Sequence, residues 1–205
     1  MLLVDYYMKA LLYEPHHFAQ REFAIVKNGQ IIRHKTFPNV RKLRAWLIET
    51  SPEHVYFSSA LYEYPELFPM EEKYKYWLGA DLVFDIDFDH QIIQTMDEAR
   101  KQSQKLLLIL KEDFGFQNIL YADSGSRGFH VHVQDECIHS FTGPERRVIT
   151  EYLELNIEHE GQLYRNRKYV GIDPQVTVDT TRLMRLPGSL NVKPYSRRPC
   201  SILQQ

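Results

Sequence analysis

Cysteine is nearly absent from this chain of 205 residues: Cys137 and Cys200 are the only two, and they form no C-x-x-C pair. That scarcity argues against a disulfide framework and against a cysteine-based zinc site, and it fits a reducing cytoplasmic setting. Long apolar runs are missing too. The longest unbroken one, Leu106 to Leu110, is far below the ~20 residues of a membrane span. The amino-terminal stretch Met1 to Leu12 carries Asp5 and Lys9 and has no small-residue cleavage site, so neither membrane insertion nor secretion is expected. Glycine (9) and proline (10) are scattered rather than clustered. No linker, repeat or biased segment breaks the chain, and a single domain over residues 1–205 is the expectation.

What is present is an ordinary globular balance, 43% hydrophobic and 25% charged residues, with an unusual distribution of sign. Net charge is only −2, yet Glu49 to Glu98 holds twelve acids against Lys73 and Lys75, a balance of −10. Gly161 to Cys200 holds eight Lys or Arg against Asp173 and Asp179, a balance of +6. Such segregation suits a cation-binding acidic cleft beside a phosphate-binding surface, and equally suits solvated helix faces.

Periodicity supplies the elements. Met1 to Tyr13 reads as a helix ending before Pro15. Arg21–Val26 and Gln30–His34 read as a hairpin across Asn28-Gly29. Asn39 is placed to cap a helix to Thr50 with Val40, Leu43, Trp46 and Leu47 on one stripe, and Val55–Ser58 is a short strand. Between Asp81 and Asp89, Leu82, Phe84, Ile86 and Phe88 alternate with Asp81, Val83, Asp85, Asp87 and Asp89, which predicts a strand with an acidic face. Three- and four-residue steps from Ile92 to Phe114 predict a long helix stopped by Gly115. A strand from Asn118, a turn over Asp123–Gly128, a strand carrying His130 and His132 on one face, a helix from Pro144 through Ile157 and a β-rich tail with Val170, Val176 and Val178 complete a mixed α/β (α+β) fold.

Three groups of residues carry chemistry. Asp85 and Asp87, two apart on one strand, put two carboxylates on one face with Cα atoms about 7 Å apart. Their repulsion calls for basic partners or for hard divalent cations such as Mg²⁺ or Mn²⁺. Asp81 and Asp89 read instead as edge or capping residues. Ser124-Gly125-Ser126-Arg127-Gly128-Phe129-His130 gathers backbone N–H groups, hydroxyls, a guanidinium and an imidazole, all of them phosphate-binding parts. His132 reads as a satisfied histidine with no ligand. Asp173, followed by Pro174, is an acid in a basic stretch ahead of Arg182, Arg185 and Asn191. The residues alone leave open whether it pairs with an arginine or completes a metal site with Asp85 and Asp87.

Taken in order, hydrophobic-Asp-Ile-Asp, Ser-Gly-x-Arg-Gly-x-His, Ile-Asp-Pro and Arg-Leu-x-Arg-Leu-Pro-x-Ser-Leu resemble the archaeo-eukaryotic primase superfamily, in particular the archaeal-type primase small (catalytic) subunit. Arg21-Glu22-Phe23, Val55-Tyr-Phe-Ser-Ser59 and Trp77 to Asp87 extend the resemblance over nearly the whole chain. It implies a primase-polymerase core of mixed β-sheet flanked by helices. Asp85, Asp87 and Asp173 match the carboxylates that hold two Mg²⁺ or Mn²⁺ ions. Ser124, Ser126, Arg127 and His130 match the loop for the incoming triphosphate, Arg185 a basic residue there, and Arg21 an arginine near the site. The implied activity is two-metal nucleotidyl transfer that makes short RNA or DNA primers on single-stranded DNA from nucleoside triphosphates. A large subunit is the implied partner, and the setting is cytoplasmic or nucleoid-associated.

Three departures accompany the resemblance. Asn191 stands where relatives commonly have His, and it hydrogen-bonds a phosphate without adding positive charge. His90 to Gln104 lacks the cysteines of the zinc knob common in relatives, so no structural zinc is expected. The chain stops soon after Asn191 and reads as a minimal or truncated version of the catalytic core. A gap-filling polymerase of the end-joining type and a catalytically weak nucleic-acid-binding homologue are the alternative expectations.

Overall fold

In the computed structural model the described residues are 2–68, 72–88, 93–154, 156–159, 162–165 and 169–204. The chain runs through α1 (Leu3–Lys9), β1 (Phe23–Lys27), β2 (Gln30–Lys35), α2 (Val40–Thr50), β3 (His54–Ser58), β4 (Ala60–Tyr62), α3 (Glu72–Lys75), β5 (Trp77–Ala80) and β6 (Leu82–Asp87). It continues with α4 (Met96–Glu112), β7 (Ile119–Asp123), β8 (Gly128–Val133), α5 (Gly143–Glu154), β9 (Asn156–His159) and β10 (Gln162–Arg165). Last come α6 (Pro174–Val178), β11 (Leu183–Arg185), β12 (Leu190–Lys193), β13 (Ser196–Pro199) and β14 (Ser201–Gln204). No helix among the described residues is long and apolar enough to cross a membrane. Contacts divide the chain into two compact units, residues 1–80, 122–126 and 181–203 in the first and 81–121, 127–180 and 204–205 in the second.

In the first unit an antiparallel sheet has the order β11-β3-β1-β2. The expected hairpin at Asn28-Gly29 forms, with both turn residues at positive φ (51° and 73°). Phe23, Ile25, Val55 and Phe57 of the sheet and Leu43 and Leu47 of α2 are fully buried. Each such side chain is worth roughly 1.5–3 kcal/mol when removed from water. Asn39 caps α2 as expected, its side chain accepting the Lys42 N–H at 3.1 Å. The first helix is shorter than its periodicity predicts, because the chain after Lys9 is used in close packing. The Tyr13 N–H donates to the Pro187 carbonyl at 3.0 Å, and a Cβ on Gly188 would lie 2.0 Å from the Leu11 oxygen. β4 and β5, to which periodicity assigns no element, pair antiparallel. Beneath them Lys75 is fully buried, its Nζ donating to Glu22 Oε2 at 2.6 Å and to the Pro65 carbonyl at 2.7 Å. Arg33 donates to the other Glu22 oxygen at 2.8 Å.

In the second unit β8 lies between β7 and β6, and α4 packs on the sheet. Leu82, Phe84 and Ile86 of β6, Phe129, Val131 and Val133 of β8, and Leu106 and Leu110 of α4 share one core. A capping box fixes the start of α4: Thr95 Oγ1 accepts the Glu98 N–H, and the Glu98 carboxylate accepts the Thr95 N–H, both at 3.2 Å. Caps of this kind contribute about 1 kcal/mol. The helix stops before Gly115, which takes φ +75°. The helix expected through Ile157 ends at Glu154, and β9 begins at Asn156. Val176 and Val178, expected in a strand, lie in α6, because Asp173 caps that helix and Pro174 occupies its first turn.

Candidate active site

In the second unit β6 delivers the two central carboxylates. Alternation buries Leu82, Phe84 and Ile86 completely and leaves the Asp85 and Asp87 side chains 33% and 31% exposed. The antiparallel register sets Asp85 opposite His130 and Asp87 opposite Gly128. Gly128 is required there by space: a Cβ would stand 2.0 Å from the Ile86 carbonyl oxygen. Across the pair, His130 Nε2 lies 3.8 Å from Asp85 Oδ1 and Arg127 Nη2 lies 3.6 Å from Asp87 Oδ2. The Arg127 guanidinium also stands over the Phe88 ring at 5.7 Å. His132, fully buried opposite Val83, meets the His130 ring edge-on at 6.5 Å.

Asp173 joins this unit through the backbone, its N–H donating to the Asp85 carbonyl at 3.0 Å. Its Oδ1 accepts the Gln175 N–H at 3.0 Å. Each of the three carboxylates thus has a local partner. Among the described residues no three His, Cys, Asp or Glu side chains converge as a ready-made metal group. The donor chemistry nonetheless suits a hard divalent cation, since all three are carboxylates and the two on β6 are partly open to solvent.

Of the two outer acids of the strand, Asp81 departs from expectation. Asp89 lies outside the described residues. Asp81 is no edge residue: it is fully buried, with Gln134 Nε2 at 3.2 Å and His139 Nε2 at 3.3 Å from its carboxylate. Its carbonyl accepts from Arg146 Nη1 at 2.8 Å. Burial pushes the Arg146 pKa down to about 10. Asp81 is hydrogen-bonded because an unpartnered buried carboxylate would cost several kcal/mol.

The first unit holds the Ser124–Ser126 loop. Gly125, at φ +69°, donates its N–H to Asp123 Oδ1 at 2.7 Å, and the Ser126 N–H meets Ser124 Oγ at 3.2 Å. The β12–β13 hairpin holds the same loop. Asn191 Nδ2 donates to the Ser124 carbonyl at 3.4 Å, Lys193 Nζ to Ser126 Oγ at 2.5 Å, and Arg198 Nη1 to the Ser126 carbonyl at 3.3 Å. Lys193 and Arg198 lie outside the motifs, in a basic tail whose cations suit phosphate contacts, and both shape the loop; Asn191 and Lys193 are two apart on one strand and therefore share a face. Arg185 Nη1 contacts His54 Nδ1 at 3.0 Å, its Nη2 donates to Tyr56 Oη at 3.2 Å, and the guanidinium stands over the Tyr56 ring. Burial, then the Arg185 charge, lowers the His54 pKa. Arg21 is fully buried and donates to the carbonyls of His16 (2.8 Å), Ser58 (2.9 Å) and Ser59 (3.1 Å). Those bonds give it a structural task in the first unit.

The fold is that of a polymerase-type α+β core. It resembles the polymerase domain of Mycobacterium tuberculosis Ligase D solved in complex with DNA, with TM-score 0.60 and 14% identity over 98% of this chain and 79% of that one. The model of the DNA primase small subunit family matches residues 84–200, a span that contains every candidate residue except Arg21. The DNA primase small subunit PriS of Pyrobaculum calidifontis is 36% identical over 92% of this chain and 73% of its own length. The corresponding proteins of Archaeoglobus fulgidus and Sulfurisphaera tokodaii are each 33% identical, covering 92% and 94% of this chain and 75% and 74% of themselves. The chain belongs to the DNA primase small subunit family.

Proposed function

We propose that this chain is a primase catalytic subunit that joins nucleoside triphosphates into short RNA or DNA primers on a single-stranded DNA template. The observation that carries the reading is the trio in the second unit, with Asp85 and Asp87 partly exposed on one strand and the Asp173 N–H bonded to the Asp85 carbonyl. In this reading Asp85, Asp87 and Asp173 hold two Mg²⁺ or Mn²⁺ ions. Bound there, the ions supply Lewis acidity for the attacking 3′-hydroxyl and countercharge for the departing pyrophosphate.

The remaining roles belong to side chains. Arg127 binds phosphate oxygens with its paired N–H groups, a preference that follows from its planar fork. Ser124 and Ser126 offer hydroxyls, and His130 donates from the strand beside Asp85. Asn191 orients by hydrogen bonding without adding charge, and Arg185 adds positive potential. Holding the reactants in line is the chief contribution of the protein. The naming of its relatives as small subunits supports a larger protein partner for this chain as well.

The test is extension of an unprimed single-stranded template with labelled nucleoside triphosphates and Mn²⁺ or Mg²⁺, beside a primed template and the Asp85→Ala control. Products from the unprimed template that the control fails to make are expected. Products from the primed template alone would replace priming with gap filling, and wild-type incorporation by Asp85→Ala would overturn the carboxylate assignment.

A further inference from the structure

The β12–β13 hairpin has two faces, and the candidate site uses only one. In its register Asn191 pairs with Arg198 and Lys193 with Ser196, while Val192 pairs with Arg197. Cross-strand partners share a face and successive residues alternate. Asn191, Lys193 and Arg198 accordingly turn together onto the Ser124–Ser126 loop. Arg197 stands on the opposite face, and every residue from Lys193 to Pro199 is exposed. At the tip the Tyr195 side chain is fully exposed, at 102%. From Thr180 to Gln205 the chain contains no Asp or Glu and five Lys or Arg.

An aromatic ring fully in water, carried on a strand pair that contributes cations and no acid of its own, with Asp123 meeting Arg198 at 3.4 Å on the inner face, has the two parts that bind an unpaired strand. The ring offers a stacking surface that accepts any base, and the cations attract the backbone. A duplex keeps its bases stacked on one another and leaves a single ring nothing to grasp. We propose that the tip and outer face of this hairpin bind single-stranded nucleic acid, with one base stacked on Tyr195 and an adjacent phosphate at Arg197. The proposal deepens the primase reading and rests on it for the identity of the strand as DNA.

The experiment measures binding of the full chain to a labelled oligodeoxythymidylate of about twenty nucleotides by fluorescence anisotropy across a salt series. Wild type is compared with Tyr195→Ala, Tyr195→Trp and Arg197→Ala, and circular dichroism confirms that each is folded. Tyr195→Ala is expected to weaken binding by about 5- to 150-fold, the usual worth of one stacked base, and Tyr195→Trp to restore it. Arg197→Ala is expected to reduce the slope of log affinity against log salt by about 0.7. Nucleotide KM in primed extension stays at the wild-type value in the Tyr195 variants. Equal affinity of wild type and Tyr195→Ala at every salt, or no measurable wild-type binding, overturns the proposal. Tyr195-dependent binding by a wild type that incorporates no nucleotide would refute the catalytic reading and leave the hairpin assignment standing. Incorporation with binding indifferent to Tyr195 would do the reverse.

Discussion

Gly128 offers a direct test of how β8 holds the strand of Asp85 and Asp87. A methyl group there would be placed 2.0 Å from the Ile86 carbonyl oxygen, 2.8 Å from its carbon and 2.9 Å from the Asp87 Cα. Ordinary van der Waals contact begins near 3.4 Å, so Gly128→Ala must separate β6 from β8 locally by more than about 1 Å. The obstructing atoms are backbone in a paired sheet, and no side-chain rotation relieves them. Overpacking costs about 1–3 kcal/mol. The nearby Phe88 N–H to Arg127 carbonyl bond, at 3.2 Å, adds about 1 kcal/mol if lost. A total of about 2–4 kcal/mol lowers Tm by roughly 5–15 °C in a chain of this size. The effect on activity should be larger. Asp87 is directly opposite the substituted residue and Asp85 is two residues away, and a displacement of ~1 Å in positioned groups costs about a hundredfold. Gly115→Ala is the control. Gly115 has positive φ but open space around its Cβ, so that variant should lose about 1 kcal/mol and no activity. The measurements are thermal unfolding and primer synthesis for both variants. A Gly128→Ala protein with wild-type Tm and wild-type incorporation would refute the argument that this strand spacing sets the carboxylates.

Three further outcomes are expected. Arg127→Ala should raise the apparent nucleotide KM by about tenfold or more, the worth of a charge-assisted hydrogen bond, and steady-state kinetics with an unchanged KM would contradict its phosphate role. Lys75→Met should destabilise the fold by about 3–5 kcal/mol because it strips the buried Glu22 carboxylate of a partner, and adding Glu22→Gln should recover part of the loss in denaturant unfolding. Strict additivity of the two losses would show that the pair is not coupled. Stability should fall in two stages on acidification. Burial and then Arg185 lower the His54 pKa, and burial lowers that of His34, so the unfolded chain takes up protons first as pH drops through about 6.5. Burial raises the Glu22 pKa, but hydrogen bonds from Arg33 and Lys75 outweigh it and leave the value below 4.5. The stabilisation from Glu22 is therefore present above that pH and lost as pH falls through the lowered value. A Tm that rises between pH 7 and 5.5 would reverse the sign of the first stage.

Where the physics is local, the structure is legible in the sequence. The Asn28-Gly29 turn, the Asn39 cap and the alternation around Asp85 and Asp87 each depend on a few neighbouring residues, and all of them form. Where the outcome depends on distant partners, the residues alone could not supply it. Asp81 falls in the same phase of the alternation as Asp85 and Asp87, yet Arg146 and His139 meet it and it is buried. β4 and β5 are too short to show alternation, and each forms because the other is present. Val176 and Val178 favour strands by composition, but the cap and proline ahead of them favour a helix turn. The contact between Asp173 and Asp85 is a main-chain bond between residues far apart in sequence, and no side-chain pattern announces it. Lys193 reaches Ser126 only because a two-residue turn returns the strand beside the loop.

Asp173 carries two tasks on one carboxylate. Its carboxylate starts a helix by accepting the Gln175 N–H while belonging to the acidic trio, so an alanine there confounds a folding defect with a lost charge. Asparagine caps helices about as well as aspartate. Asp173→Asn therefore keeps the architecture and deletes the charge, whereas the Asp173→Ala protein reports on both at once and separates neither.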